Sequence, residues 1–387
     1  MSTVSLRVSA HRSLPAFRTW YDMGSCMSKA ITLVPVEDPS DYDSKPCNTD
    51  STHLTSINYD GVSFMNEQLN MNQVIGRGGY GLVVAVQDSA TKKFYALKIQ
   101  MNGRTAQNEE KVYEKLKKVD GVPKFYAAFS EKSHYFFQLE LVGMNMQDYV
   151  HQMGRPMIMA EAFNLAPKMI DVIEAIHAKG VIHSDIKPGN IAFGVGSKAA
   201  KVYILDFGLA VNYLDENGKH IDERFRRHEG TYVFMSSNTH SNLHNSRRDD
   251  LESLVYTLMH LMYIPMPWES KPAPHTDGDH ALFSSMKDAA VVNNTLINFP
   301  ELQQMLKMVR DLPYKAAPNY KALKALFKKT PKVVVKPPHD NIIIKRMLRD
   351  CDKELLERFH KDTTASLATR LFARGRPIVD SSDSSDY

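Results

Sequence analysis

The chain has 387 residues, 43% of them hydrophobic and 24% charged, the composition of an ordinary soluble globular protein with room for one large or two ordinary domains. A formal charge of +4 is too small to argue for nucleic acid as a partner. Cys26, Cys47 and Cys351 are odd in number and far apart, so they supply neither a disulfide framework nor a metal spacing; they suit a reducing, cytoplasmic location, with the nucleus as the alternative.

Residues 1–66 are rich in Ser, Thr, Asp and Pro without sustained periodicity and read as a disordered leader. The first twenty residues carry Arg7, Arg12 and Arg18 and no acid, as a mitochondrial presequence does, although a basic disordered tail is the preferred reading. Met23-Gly24-Ser25-Cys26-Met27-Ser28 fits a myristoylation pattern with Cys26 placed for palmitoylation. It is silent unless translation starts at Met23, so a membrane is expected as a partner only with acylation at Gly24 and Cys26.

From Leu69 the pattern changes. Gly76, Gly78 and Gly81 form a glycine-rich turn followed by Val83, Val84, Ala85 and Val86, and a second strand-like run over Phe94 to Ile99. The dinucleotide fold would open a helix after such glycines; a strand–loop–strand hairpin instead fits a flap whose backbone N–H groups cover nucleotide phosphates. Lys98 lies in the second strand after Ala96. A helix over about Ala106 to Lys118 offers Glu109 and Glu110 to position that lysine.

Phe136 to Val142 is a buried-type strand running into Gly143. A helix over Glu161 to Lys179, with Leu165, Met169, Ile170, Val172, Ile173 and Ile176 near helical spacing, is a core helix. It leads to His183-Ser-Asp-Ile-Lys-Pro-Gly-Asn190, which sets a carboxylate (Asp185), an ammonium (Lys187) and an amide (Asn190) close together. Phosphoryl transfer asks for such a set: a proton acceptor for the attacking hydroxyl, a cation for the developing charge, and an oxygen ligand for Mg²⁺. Val202 to Leu205 is a short strand ending at Asp206-Phe207-Gly208, where Asp206 suits a second Mg²⁺ ligand. The apolar stretch Leu251 to Trp268 is interrupted by His260 and Pro265 and follows charged residues, so a core helix is expected there in place of a membrane span.

In their order and spacing, the glycine loop, Lys98, the acidic helix, the Asp185–Asn190 loop and Asp206-Phe207-Gly208 resemble a protein kinase. Ser236-Ser237-Asn238-Thr239-His240, Ser246-Arg247-Arg248-Asp249-Asp250-Leu251-Glu252-Ser253 and Pro267-Trp268 resemble the casein kinase 1 superfamily, and Ile191-Ala192-Phe193-Gly194 its tau-tubulin kinase branch. The resemblance covers roughly residues 68–330. It implies an α+β bilobal kinase domain over about 67–330, with an N-lobe over 67–142, a C-lobe over 143–330 and a tail over 331–387. The tail holds a Pro-Lys strip, an amphipathic segment near Asp352 to His360 and a Ser381 to Asp386 run open to phosphorylation.

The resemblance further implies a Ser/Thr protein kinase that uses ATP and Mg²⁺ on protein substrates as a monomer. Asp185, Lys187 and Asn190 are its catalytic set, and Asn190 and Asp206 its metal ligands. The nucleotide falls to Gly76, Gly78, Gly81, Val83, Ala96, Lys98, its partner Glu109, and the hinge Glu140 to Val142 behind the gatekeeper Leu139. Asp250 braces the catalytic loop. A binding scaffold with an inert kinase fold is the competing reading. Three departures stand out: Ser184 replaces the arginine that pairs with an activation-loop phosphate, Val233 replaces an arginine that reads substrate phosphate or acid, and Pro272 to Phe283, with Asp277 and Asp279, replaces a basic stretch. Arg224, Arg226, Arg227 and His228 are either a substitute for those lost cations or a solvated loop.

Overall fold

The computed structural model describes residues 74–335 apart from 79–80, 88–93, 102, 132–133, 226–227 and 293–295. The leader, the Met23 to Ser28 motif, Arg226, Arg227, and the tail segments from residue 336 onward lie outside the described residues.

Strands β1 (Val74–Gly78), β2 (Gly81–Gln87), β3 (Phe94–Met101), β4 (Phe125–Glu131) and β5 (His134–Glu140) form an antiparallel sheet in the order β1-β2-β3-β5-β4. Gly78 pairs with Gly81, so the glycine-rich turn is the β1–β2 hairpin. At Gly81 φ is 155°, and a Cβ would collide with the Ile99 carbonyl oxygen, which restricts the position to glycine. β5 starts and ends two residues before the expected strand. It stops at Glu140 because the chain then leaves the sheet, and the Gly143 amide donates to the Phe193 carbonyl of the second lobe at 2.7 Å.

Helix α1 (Arg104–Leu116), two residues ahead of its expected position, turns Ala106, Glu109, Val112, Tyr113 and Leu116 inward at helical spacing. The second lobe holds α2 (Met146–Met153), α3 (Met159–His177), α4 (Ser237–His240), α5 (Arg247–Leu261), α6 (Asp277–Val292), α7 (Pro300–Arg310) and α8 (Tyr320–Leu326). Two short ribbons, β6 (Val181–Ile182) with β9 (Val211–Asn212) and β7 (Ile191–Phe193) with β8 (Val202–Ile204), carry the loops of the cleft between the lobes. The six periodic apolar residues of α3 are all buried. So is almost every side chain of α5, the core of the lobe; it ends at Leu261, ahead of Pro265. Among the described residues no helix is long and apolar enough to cross a membrane.

The charged start of α5 is a set of structural contacts. Ser246 and Asp249 cap the helix reciprocally, and Asp249 also accepts from Ser236 Oγ at 2.7 Å. Arg247 and Arg248 donate to the carbonyls of Lys315 and Leu312. Glu252, 1% exposed, accepts from the Ser237 amide and pairs with Arg310 at 2.7 Å. Removing one partner of such a pair strands a buried charge. Arg310→Met should therefore cost about 3–5 kcal/mol in denaturant unfolding.

Beside it, His240 is 2% exposed and His280 8%. Burial, with Lys287 as the next contributor, pushes the His240 imidazole down to about 2, and burial pushes His280 down to about 4. Both are neutral when folded and titrate near 6.5 when unfolded. Below pH 6.5 the unfolded chain binds the extra protons, so stability is full above that value and falls towards pH 2. The unfolding free energy from urea titrations should drop between pH 7 and pH 5, by up to about 1.4 kcal/mol per pH unit for each histidine, and His240→Asn should flatten the slope.

Candidate active site

Alternation along β3 points Lys98 into the cleft, opposite Val83 on β2 and Phe137 on β5. Its Nζ donates to both oxygens of Glu109, at 2.6 and 2.8 Å, and to Asp206 Oδ1 at 2.8 Å. Gln100 Nε2 also donates to Glu109, at 3.0 Å. Glu110 faces elsewhere and accepts from the Tyr135 hydroxyl. Burial pushes the Lys98 ammonium down, but Asp206 and Glu109 outweigh it and hold the group above its ordinary range. Burial likewise pushes Asp206 up, yet Lys98 and the Gly208 amide hold it at about 2. Burial pushes the Glu109 carboxyl up, against the pull of Lys98, so the site is an ammonium held between one ionised carboxylate and one deeply buried carboxyl group.

The catalytic-loop stretch hangs on Asp250. One carboxylate oxygen accepts from the His183 amide (2.8 Å) and His177 Nε2 (2.9 Å), the other from the Ser184 amide (2.8 Å). Burial raises this carboxyl, but the hydrogen bond from His177 and the amides keep it below its usual range. Ser184 takes a left-handed backbone (φ 68°), as does Asp206 (φ 63°), a strain that both residues' hydrogen bonds hold in place. His183 accepts the Asp185 amide at Nδ1 and donates from Nε2 to the Leu205 carbonyl at 2.9 Å, joining the loop to the Asp206 turn. Beneath them the rings of His183, Phe207, Tyr113 and Phe125 form a column with centroids 5.1, 5.2 and 5.7 Å apart, running from one lobe into the other.

Asp185 is held on both oxygens. Oδ2 receives Asn190 Nδ2 at 3.0 Å and lies 2.7 Å from Lys187 Nζ; Oδ1 receives the Thr231 amide and hydroxyl at 3.0 and 2.9 Å. Lys187 donates in turn to Thr231 Oγ1 at 2.8 Å. Thr231 and Gln100 carry no site role in the sequence reading. The only sequence signal for Thr231 is the Gly-Thr pair in the activation segment, and its reason is visible: Gly230 has φ 122°, and a Cβ there would sit 3.0 Å from the Ser184 carbonyl oxygen.

Above the cleft lie Gly76, Gly78 and Gly81 of the hairpin, with Val83 and Ala96 on the sheet. At the hinge, Leu139 is buried and Val142 half-buried, and the Glu140 side chain bonds Lys198 Nζ at 2.7 Å and the Lys124 amide at 3.2 Å. Asn190 commits its Nδ2 to Asp185, which turns Oδ1 to other use, and Asp206 uses Oδ1 on Lys98 and Gly208. The remaining amide and carboxylate oxygens are hard donors that fit Mg²⁺, an ion that keeps few protein ligands. The Ser184 hydroxyl is shielded and makes no hydrogen bond among the described residues, so nothing there takes an arginine's place. His228 stacks on His280 with centroids 3.4 Å apart and bonds the His240 carbonyl, so it does not belong to an open basic patch.

The protein kinase domain family matches residues 69–348. A probable casein kinase I homolog of Encephalitozoon cuniculi is 33% identical over 264 residues, covering 66% of this chain and 82% of that protein. With the two carboxylates, the lysine and the amide assembled in one cleft, the sequence match and the geometry agree: the chain belongs to the protein kinase family and is of the casein kinase I kind.

Proposed function

We propose that this protein transfers the γ-phosphoryl of ATP to serine and threonine hydroxyls of other proteins, with Mg²⁺ bound by Asn190 and Asp206. The observation that carries the reading is the carboxylate of Asp185, oriented at both oxygens by Thr231, Asn190 and Lys187. So placed, Asp185 accepts the proton of the attacking hydroxyl. Lys187 offsets the charge that grows on the transferred group. Lys98, steered by Glu109 and Gln100, grips the donor's phosphates under the backbone of the β1–β2 hairpin, and main-chain groups over Glu140 to Val142 meet the adenine edge. Bound Mg²⁺ neutralises phosphate charge. The choice of an aliphatic hydroxyl is supported by the casein kinase I relationship. An inert scaffold is not favoured, because Lys98, Asp185, Asn190 and Asp206 are all present, Lys98 bonded to Asp206 and Asn190 to Asp185.

Transfer from labelled ATP to casein and to a basic peptide mixture tests the reading. Asp185→Asn should lower kcat by about 10³-fold with the KM for ATP little changed. Nucleotide binding without transfer by the unmodified chain would establish the scaffold instead. Val233→Arg should raise kcat/KM for a phosphoserine-primed peptide several-fold, about 1 kcal/mol, relative to its unprimed form, because a guanidinium restores a phosphate partner.

A further inference from the structure

One buried charge has no part in the chemistry above. Lys287 of α6 is fully buried, which an ammonium tolerates only when its donors are satisfied. Its Nζ donates to the carbonyls of Met235 (2.6 Å) and Tyr232 (2.9 Å) and meets His240 Nε2 at 3.0 Å, three partners for three hydrogens. The ring faces of Tyr256 and Trp268 lie 5.0 and 5.3 Å away. Glu252 and Arg310 act on it with opposite signs from farther off, and burial pushes the group well below a free lysine.

The carbonyls that Lys287 holds belong to the segment carrying Thr231. Thr231's own carbonyl accepts the amides of Phe234 and Met235, at 2.8 and 3.0 Å, and Trp268 Nε1 donates to the Val233 carbonyl at 3.0 Å. The segment is therefore a tight turn whose carbonyls are drawn down onto α6 and Trp268, while the Thr231 amide and hydroxyl face Asp185. The imidazole beside Lys287 suits this arrangement. His240 Nε2 stands 3.0 Å from both Lys287 Nζ and the Tyr232 carbonyl oxygen, so imidazole and ammonium share that carbonyl, and its Nδ1 lies 2.8 Å from His280 Nδ1. His280 stacks on His228, which stands 3.9 Å from the exposed Asp277, and Asp279 of the same helix start faces His280 as well.

We propose that Lys287 is a positioning residue for phosphoryl transfer: it staples the 231–235 turn so that Thr231 clamps Asp185 and Lys187, with His240 as its third partner. The proposal rests on the kinase reading. An inactive unmodified chain would sink that reading, whereas an active chain indifferent to Lys287 would sink only this one.

The test is steady-state phosphorylation by the full chain, its Lys287→Met and Thr231→Val variants, and the pair combined. Methionine keeps the length and removes every donor. Lys287→Met is expected to lower kcat about tenfold or more, with the KM for ATP within about twofold and an unchanged shift of the melting temperature by ADP. Because both groups act through one carboxylate, the combined variant should lose little beyond the larger single loss. Losses that multiply, or a KM for ATP that rises with an unchanged kcat, would make Lys287 a core residue and overturn the proposal. If Lys287→Met does not fold, His240→Asn decides. It removes one partner of the ammonium, so a fall of several-fold in kcat at constant ATP KM supports the staple, and full activity refutes it.

Discussion

One ammonium shared by two carboxylates holds the catalytic cleft together. Lys98 comes from the central strand of the small lobe, Glu109 from its helix, and Asp206 from a turn of the large lobe. Buried Glu109 depends on the lysine, half-buried Asp206 completes the set, and the lysine is stable in its buried place only with them. The pair of lobes therefore closes around a charge balance, and the turn at Asp206 accepts a left-handed backbone to complete it. The aromatic column below supplies the apolar half of the same joint.

The large lobe repeats the logic with α5. Its first residues cap the helix, tie the activation segment to it, reach carbonyls of the last loops, and hold the catalytic loop through Asp250. Five consecutive polar residues in a lobe core look wasteful until each partner is named. The interior they face is made of backbone amides and carbonyls that no apolar side chain could satisfy.

Much of this was legible in the chain. Lys98, Glu109, Asp185 and Asp206 place charged groups, and Asn190 an amide, in apolar settings at spacings that few other functions need, and the structure bonds Lys98 to Glu109 and Asp206 and Asn190 to Asp185. The strands and helices follow from apolar periodicity, with boundary shifts of about two residues; that of β5 falls where Gly143 turns to bond Phe193. Thr231, Gln100 and Lys287 were hidden for a different reason. Each matters through hydrogen bonds outside its own element, Gln100 to the next helix and Thr231 and Lys287 to groups far away in sequence, and neither composition nor period carries such information. At Ser184 and Val233 the absent guanidinium is visible in the sequence itself, whereas the bonded state of His228 needed coordinates.

The ring column also has an energetic consequence. Phe207 is 1% exposed between Tyr113 and His183, so swinging it out would leave a ring-sized void through the middle of the molecule. Voids of that kind cost about 3–5 kcal/mol, which confines the dismantled cleft to well under about one molecule in a hundred. The Ser184 hydroxyl makes no hydrogen bond among the described residues, so this joint is held by the packed rings and by the Lys98 ion pairs. A cleft braced in this way resists opening even where its loops bear little load.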